Sequence, residues 1–306
     1  HFNNPGITQN DAFKPVTKYF DRITRPEQIL QTLPQAIQTM LDPADCGPAC
    51  LSLSQDVQGE TYEYPEEFFK ERVHNIRRPR PDDFQIKQAA EQIKKSKNPL
   101  LISGGGVFYS DAMEDLSNFA IKHNIPVTQT VMGYSTMKRD HSHFLGPIGG
   151  LGGKAANNLA KQTDLAIAVG TKLADFTTGS WANFENPDFS LVSVNVSRFD
   201  ASKHLAQSVI GDAKVSLQEL SNALGDWKAP DEWHKKSRDE LKNWNDYVDK
   251  ESGPTNQELP SYAHAVGAIY RNSDPTDIAV TAAGGLVGEV VQIWRPKELN
   301  THETEW

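Results

Sequence analysis

PLLISGGGVFYSDAMEDLSNFA, from Pro99 to Ala120, is the stretch on which the fold turns. Leu100 to Ser103 form an apolar or small run that reads as a buried parallel strand. Gly104, Gly105 and Gly106 follow. Ser110 is then expected to open a helix with Met113, Leu116 and Ala120 on one face. A strand passing through glycines into a helix exposes backbone amides to an anion. As a dinucleotide fingerprint the stretch is incomplete. Phe108 and Tyr109 stand where the third glycine of G-x-G-x-x-G should fall, and no acidic residue ends the next strand, IPVTQT, to take a ribose hydroxyl. The glycines are therefore expected to serve close helix–strand packing.

The same alternation extends in both directions. DDFQIKQAAEQIKKS (82–96) reads as a helix, IPVTQT (125–130) as a strand and KAANNLAKQ (154–162) as a helix. DLAIAVGT (164–171) and FSLVSVNVS (189–197) read as strands, and DAKVSLQELSNAL (212–224) as a closing helix. Near-continuous apolar strands separated by helices predict a parallel sheet covered on both faces. The expected class is α/β, with a doubly wound, Rossmann-like central domain over residues 79–226.

Two other zones flank it. Residues 1–78 hold RPEQILQTLPQAIQTML, an expected amphipathic helix with Ile29, Leu33, Ile37 and Met40 on one side, and GPACLSLSQDV, a short strand. IRRPRPDD then breaks the pattern as a linker. Residues 227–260, polar and rich in tryptophan, read as a tether. Residues 261–306 repeat helix, strand, Gly284-Gly285 turn and helix. That unit is too small to complete a sheet, so the chain is expected to be a piece of a longer protein.

At 306 residues, 38% hydrophobic and 23% charged, the chain is ordinary globular material of about two domains. A net charge of −9 with no long basic run argues against nucleic acid as a partner. No apolar run reaches the ~18–20 residues a membrane helix needs, and no signal peptide is visible. Cys46 and Cys50 are expected to be free thiols in a reducing cytoplasm.

Several motifs carry little. GPIGGLGGKAANN (146–158) has Ile148 and Ala155 where a P-loop needs glycine and a hydroxyl, so its glycines serve a tight loop entry or an anion. His141 and His143 are expected on a surface loop, without a third metal ligand. No G-x-S-x-G elbow exists. Asn195 of NVS is expected inside a strand, out of reach of glycosylation. DIAVTAAGGLVGEV is the better anion candidate, because a strand delivers Gly284 and Gly285 to a helix that Leu286 opens. Glu303 and Glu305 would lie near the end of the next strand, where a carboxylate often faces a ligand.

Together NDAFKPVTKYFDRITRPEQ (10–28), LSLSQDVQGE (51–60), GGGVFYSDA (104–112), VGTKLADFTTGSWANFENPDF (169–189), NVSRFDASK (195–203) and NTHETEW (300–306) resemble thiamine-diphosphate-dependent enzymes. Acetohydroxyacid synthases and pyruvate decarboxylases represent that family. The resemblance implies the late part of a pyrimidine-binding domain, a whole central domain and the start of a diphosphate-binding domain. QDVQGE and DFTT point within the family to members that open a small cyclic 1,2-dione by hydrolytic C–C cleavage. The alternatives are a carboligase or decarboxylase of the same family, or a non-catalytic nucleotide-binding module.

The resemblance further implies thiamine diphosphate held in part by Gly284, Gly285 and Leu286, with Glu305 toward substrate, and Mg²⁺ in the complete enzyme. The activating glutamate and the G-D-G…N metal motif are expected outside residues 1–306, so no catalytic residue and no metal ligand is assigned. GDA at Gly211 and GDW at Gly225 fall in the wrong domain. Lys172 and Ala174 replace the Arg and Asp that face flavin in relatives, so no FAD is expected. A homo-oligomer, dimer or tetramer, is implied for the complete enzyme, and this chain alone is expected to be inactive.

Overall fold

The computed structural model describes residue 3, residues 6–282 and residues 284–304. It divides into two compact units, residues 1–77 and 78–306.

In the first unit, β1 (Tyr19–Ile23) and β2 (Ala49–Leu53) pair in parallel, Tyr19 opposite Ala49 and Ile23 opposite Leu53, with α1 (Ile29–Leu41) as the crossover. The buried line of α1 is Thr32 and Ala36, whereas Met40 is 47% exposed. Ile29, Leu33 and Ile37 of the expected face are half-buried, and the most buried positions fall one residue earlier along the helix, at Thr32 and Ala36. Cys46 is exposed, and Cys50, in β2, is half-buried.

The second unit is built on a six-stranded, all-parallel sheet in the order β5-β4-β3-β6-β7-β8. Its elements are α2 (Asp83–Lys95), β3 (Pro99–Ser103), α3 (Gly105–Tyr109), α4 (Met113–His123), β4 (Val127–Gln129) and β5 (Phe144–Pro147). Then come α5 (Lys154–Ala160), β6 (Leu165–Val169), α6 (Asp175–Thr178), β7 (Ser190–Asn195), α7 (Arg198–Ala201), β8 (Gln207–Ile210) and α8 (Ala213–Leu224). Leu100, Leu101 and Ile102 of β3 and Ala166 to Val169 of β6 are fully buried between helices on both faces. The expected α/β class is what the structure has. Helix starts follow capping chemistry: Asp82 accepts from the Phe84 amide at 2.9 Å, and Asp212 accepts from the Lys214 amide at 3.0 Å.

The opening stretch differs from expectation at one point. The helix begins within the glycines, at Gly105, and Ser110 closes it rather than opening the next. Asp111, at φ +52°, breaks the chain there, and α4 starts at Met113. The Ser110 hydroxyl instead donates to buried Asp212 at 2.8 Å.

Residues 227–260 are not a free tether. They carry α9 (Asp231–Glu251), whose Trp233, Ser237, Leu241 and Val248 are buried, Trp233 and Leu241 within the core of the six-stranded sheet. Nor do His141 and His143 sit on an open loop. His143 is buried and stacks on His234 of α9, ring centroids 4.2 Å apart. Asn195 lies in β7 and donates to the Thr171 carbonyl at 3.1 Å.

The unit ends in α10 (Tyr262–Asn272), β9 (Ala279–Thr281), α11 (Gly285–Ile293) and β10 (His302–Thr304). β9 and β10 pair in parallel, Ala279 opposite His302. A second core cluster of Val248, Val266, Tyr270, Val290, Ile293 and Trp294 holds these elements. Among the described residues, no helix is long and apolar enough to cross a membrane.

Candidate cofactor-binding turn

Three glycine-rich turns could in principle present amides to an anion, and the structure separates them by what those amides already do. At the first, the Gly104 amide donates to the Val169 carbonyl and the Gly106 amide to the Gly170 carbonyl, both at 2.9 Å. At the second, the Gly149 amide donates to the Asn157 side chain at 3.0 Å and the Gly150 amide to Phe176 at 2.7 Å. The Gly152 and Gly153 amides donate to Gly149 and Pro147 at 2.9 and 2.8 Å. These two turns spend most of their glycine amides on packing, and an anion held by those amides would have to break these bonds.

The third turn is different. β9 leads to Gly284, which has φ +145° and ψ −176°, and α11 starts at Gly285. Only glycine holds that backbone comfortably, because a Cβ would collide with its own chain. Gly284, Gly285 and Leu286 are all exposed. A Cβ built on either glycine meets nothing within 4 Å. Among the described residues, no acceptor takes the amide hydrogens of Gly284, Gly285 or Leu286.

Behind this open front the helix is anchored. Val287, Val290, Val291 and Ile293 are buried, and Leu151 of the second glycine loop lies 3.4 Å from the position a Gly288 Cβ would take. A fixed helix with free first-turn amides and a positive dipole end suits a diphosphate.

The structure thus brings Gly284, Gly285 and Leu286 together. Glu303 lies in β10, opposite Val280, and is exposed. Glu305 lies outside the described residues. Among the described residues no three His, Cys, Asp or Glu side chains are grouped to hold a metal ion.

Sequence reasoning missed the joint that braces this end of the unit. The loop following β4 runs along the segment after α11: the Arg139 amide donates to the Pro296 carbonyl at 2.9 Å, and the Asn300 amide to the Ser135 carbonyl at 3.3 Å. Arg139 bonds the Tyr270 hydroxyl, which in turn donates to the Arg295 carbonyl at 3.0 Å. No periodicity or motif marks these residues; only the fold joins them.

Comparison with known proteins places the chain. Residues 86–220 match the thiamine pyrophosphate enzyme, central domain, family. Over 99% of its length the chain is 39% identical to a protein of Clostridium perfringens (strain 13 / Type A) named 3D-(3,5/4)-trihydroxycyclohexane-1,2-dione hydrolase. Proteins of that name from Clostridium tetani and Geobacillus thermodenitrificans are 40% and 36% identical, over 99% and 100% of the chain. The chain spans about half the length, 51%, of these relatives. Residues 86–220 therefore match the central domain of thiamine pyrophosphate enzymes, and the chain is similar along nearly its whole length to these hydrolases.

Proposed function

We propose that residues 1–306 are the middle of a thiamine-diphosphate-dependent hydrolase that opens the ring of a trihydroxycyclohexane-1,2-dione, a step of myo-inositol breakdown. One observation carries the cofactor half of this reading. Among the described residues, the turn at Gly284 and Gly285 has no protein acceptor on either glycine amide and open space where either Cβ would stand, whereas the other two turns commit most of their glycine amides to the protein. The names of the relatives support the substrate half.

The Gly284, Gly285 and Leu286 amides bind the diphosphate, and the α11 dipole adds attraction for its charge. Thiamine diphosphate supplies, when bound, a nucleophilic carbon and an electron sink for C–C cleavage. The net reaction adds one water: one former carbonyl carbon takes its hydroxyl and becomes the carboxyl end of the open chain, and the carbon on the other side of the broken bond gains its proton. Glu305 is assigned to substrate binding in this reading. The activating glutamate and the Mg²⁺ ligands come from outside residues 1–306. The domain borders are residues 1–78, 79–226, 227–260 and 261–306, with α9 of the third segment packed rather than free.

The central domain keeps its glycine turn as architecture and holds no FAD, a reading supported by the spent amides of Gly104 and Gly106. The complete enzyme is a cytoplasmic homo-oligomer, dimer or tetramer.

The test is an assay of a polypeptide of the relatives' length that contains this chain, supplied with thiamine diphosphate, Mg²⁺ and the dione. Formation of the open-chain acid, dependent on the cofactor, is the expected result. Condensation of 2-oxo acids in its place, or dione opening without thiamine diphosphate, would overturn the proposal.

A further inference from the structure

The joint described above holds a second feature. Tyr134 and His302 are 4% and 8% exposed, and their rings meet edge to face, centroids 5.0 Å apart at 88°. Neither the Tyr134 hydroxyl nor His302 Nε2 bonds any protein atom, although both are fully buried. Arg295 Nε, from the segment that the same loop runs along, is buried without a protein partner too. These are three of the six such side-chain atoms among the described residues. They come from three separate segments: the loop after β4, the start of β10 and the chain after α11.

Packing alone does not account for them. Two phenylalanines would make the same edge-to-face contact with no polar atom to desolvate. Native interiors rarely leave such groups unmatched, and a shared small guest is their usual partner.

We propose that Tyr134 Oη, His302 Nε2 and Arg295 Nε enclose a buried site for one water-sized polar ligand, which pins the loop after β4 to β10. The terminal nitrogens of Arg295 are taken by Asn245 and Asp249, which leaves Nε–H as a donor that a cation does not satisfy. The three groups call for a molecule that both accepts and donates, as water does. Arg295 Nε–H donates to it. The Tyr134 hydroxyl donates to it as well. The guest donates in turn to His302 Nε2, an acceptor in the neutral ring that carries its proton on Nδ1. Burial keeps that ring neutral by pulling its pKa down to about 4. Three hydrogen bonds is the usual complement of an internal water. Because β10 pairs with β9, and β9 leads into Gly284, the guest belongs to the bracing of the cofactor turn without touching it.

The sign of one substitution tests this. Tyr134→Phe removes one oxygen and keeps the ring. Where the hydroxyl is bridged, the melting temperature falls by about 2–8 °C. Where it is an orphan, removal leaves it unchanged or raises it, and the proposal is overturned. His302→Phe and the double variant complete a cycle. A shared guest makes the double variant less damaging than the sum of the singles, since either single already loses it, whereas strict additivity refutes a common ligand. If His302→Phe does not fold, a crystal structure of the wild-type chain decides. Density for a small molecule within about 3 Å of both Tyr134 Oη and His302 Nε2 supports the site, and its absence overturns it.

Discussion

Gly106 and Gly170 touch backbone to backbone: the Gly106 amide donates to the Gly170 carbonyl at 2.9 Å, and a Cβ on Gly106 would fall 2.6 Å from the Gly170 Cα. This contact, between the first turn of α3 and the end of β6, explains the glycines of the opening stretch without any ligand. Gly106→Ala must push the helix off the sheet. A loss of about 1–3 kcal/mol is expected, the usual cost of overpacking. Urea unfolding of the variant against wild type measures it, and an unchanged midpoint would show that α3 yields freely.

At the other turn the logic reverses. Gly284 has open space around it but φ +145°, so Gly284→Ala strains the backbone by about 1–3 kcal/mol rather than clashing. Gly285 has the same open space and lies within the helix, where alanine is preferred. Gly285→Ala should leave stability unchanged or slightly higher, while Gly284→Ala lowers it. In the longer polypeptide, thiamine diphosphate affinity should fall for Gly284→Ala by about tenfold, because the part of the strain that the free turn relieves by moving must be restored on binding. Equal effects from the two variants would remove the turn from the binding site.

How much of this was legible beforehand depended on the kind of signal. β3 and β6 stood out because Leu100 to Ser103 and Leu165 to Val169 are unbroken buried runs. β5 did not, since it carries Gly146 at φ +96° and ends in Pro147, both poor strand residues. β8 was hidden behind His204 and Leu205, two successive non-glycine residues in the left-handed region. In α9 the polar composition concealed a buried stripe beginning at Trp233. The Gly284 turn was readable because strand, glycine pair and helix are adjacent in the chain. Tyr134 and His302 were not, because they meet only after folding.

Trp233 makes the packing of α9 testable. Its indole Nε1 donates to the Pro99 carbonyl, at the start of β3, at 2.8 Å, and the side chain is buried against the sheet domain. Trp233→Ala should cost about 3–5 kcal/mol. Trp233→Phe keeps most of the packing but leaves that carbonyl without its donor, costing about 1 kcal/mol. Thermal melts of both variants check the order. Two small and equal losses would mean that α9 hangs loosely from the domain.

The buried histidines set a pH dependence whose direction follows from His143. Burial, first, and then His234, His141 and Arg238 push its pKa down to about 4. The neutral ring is well served: Nε2 donates to Asn124 Oδ1 at 3.2 Å and Nδ1 accepts from the Ser142 hydroxyl at 2.9 Å. In the unfolded chain the same imidazole titrates near 6.5. Between about pH 6.5 and 4 the unfolded state therefore binds more protons than the folded one, and stability falls as the pH falls. Above about pH 6.5 His143 contributes no slope. The protein should melt at a lower temperature at pH 5 than at pH 7.5. His143→Gln should melt lower than wild type at pH 7.5, having lost the stack on His234, yet show a smaller drop between pH 7.5 and 5. The drop does not vanish, because His302 is pushed down to about 4 by burial alone and keeps its own share. A drop of unchanged size in His143→Gln would move the whole effect away from the α9 contact.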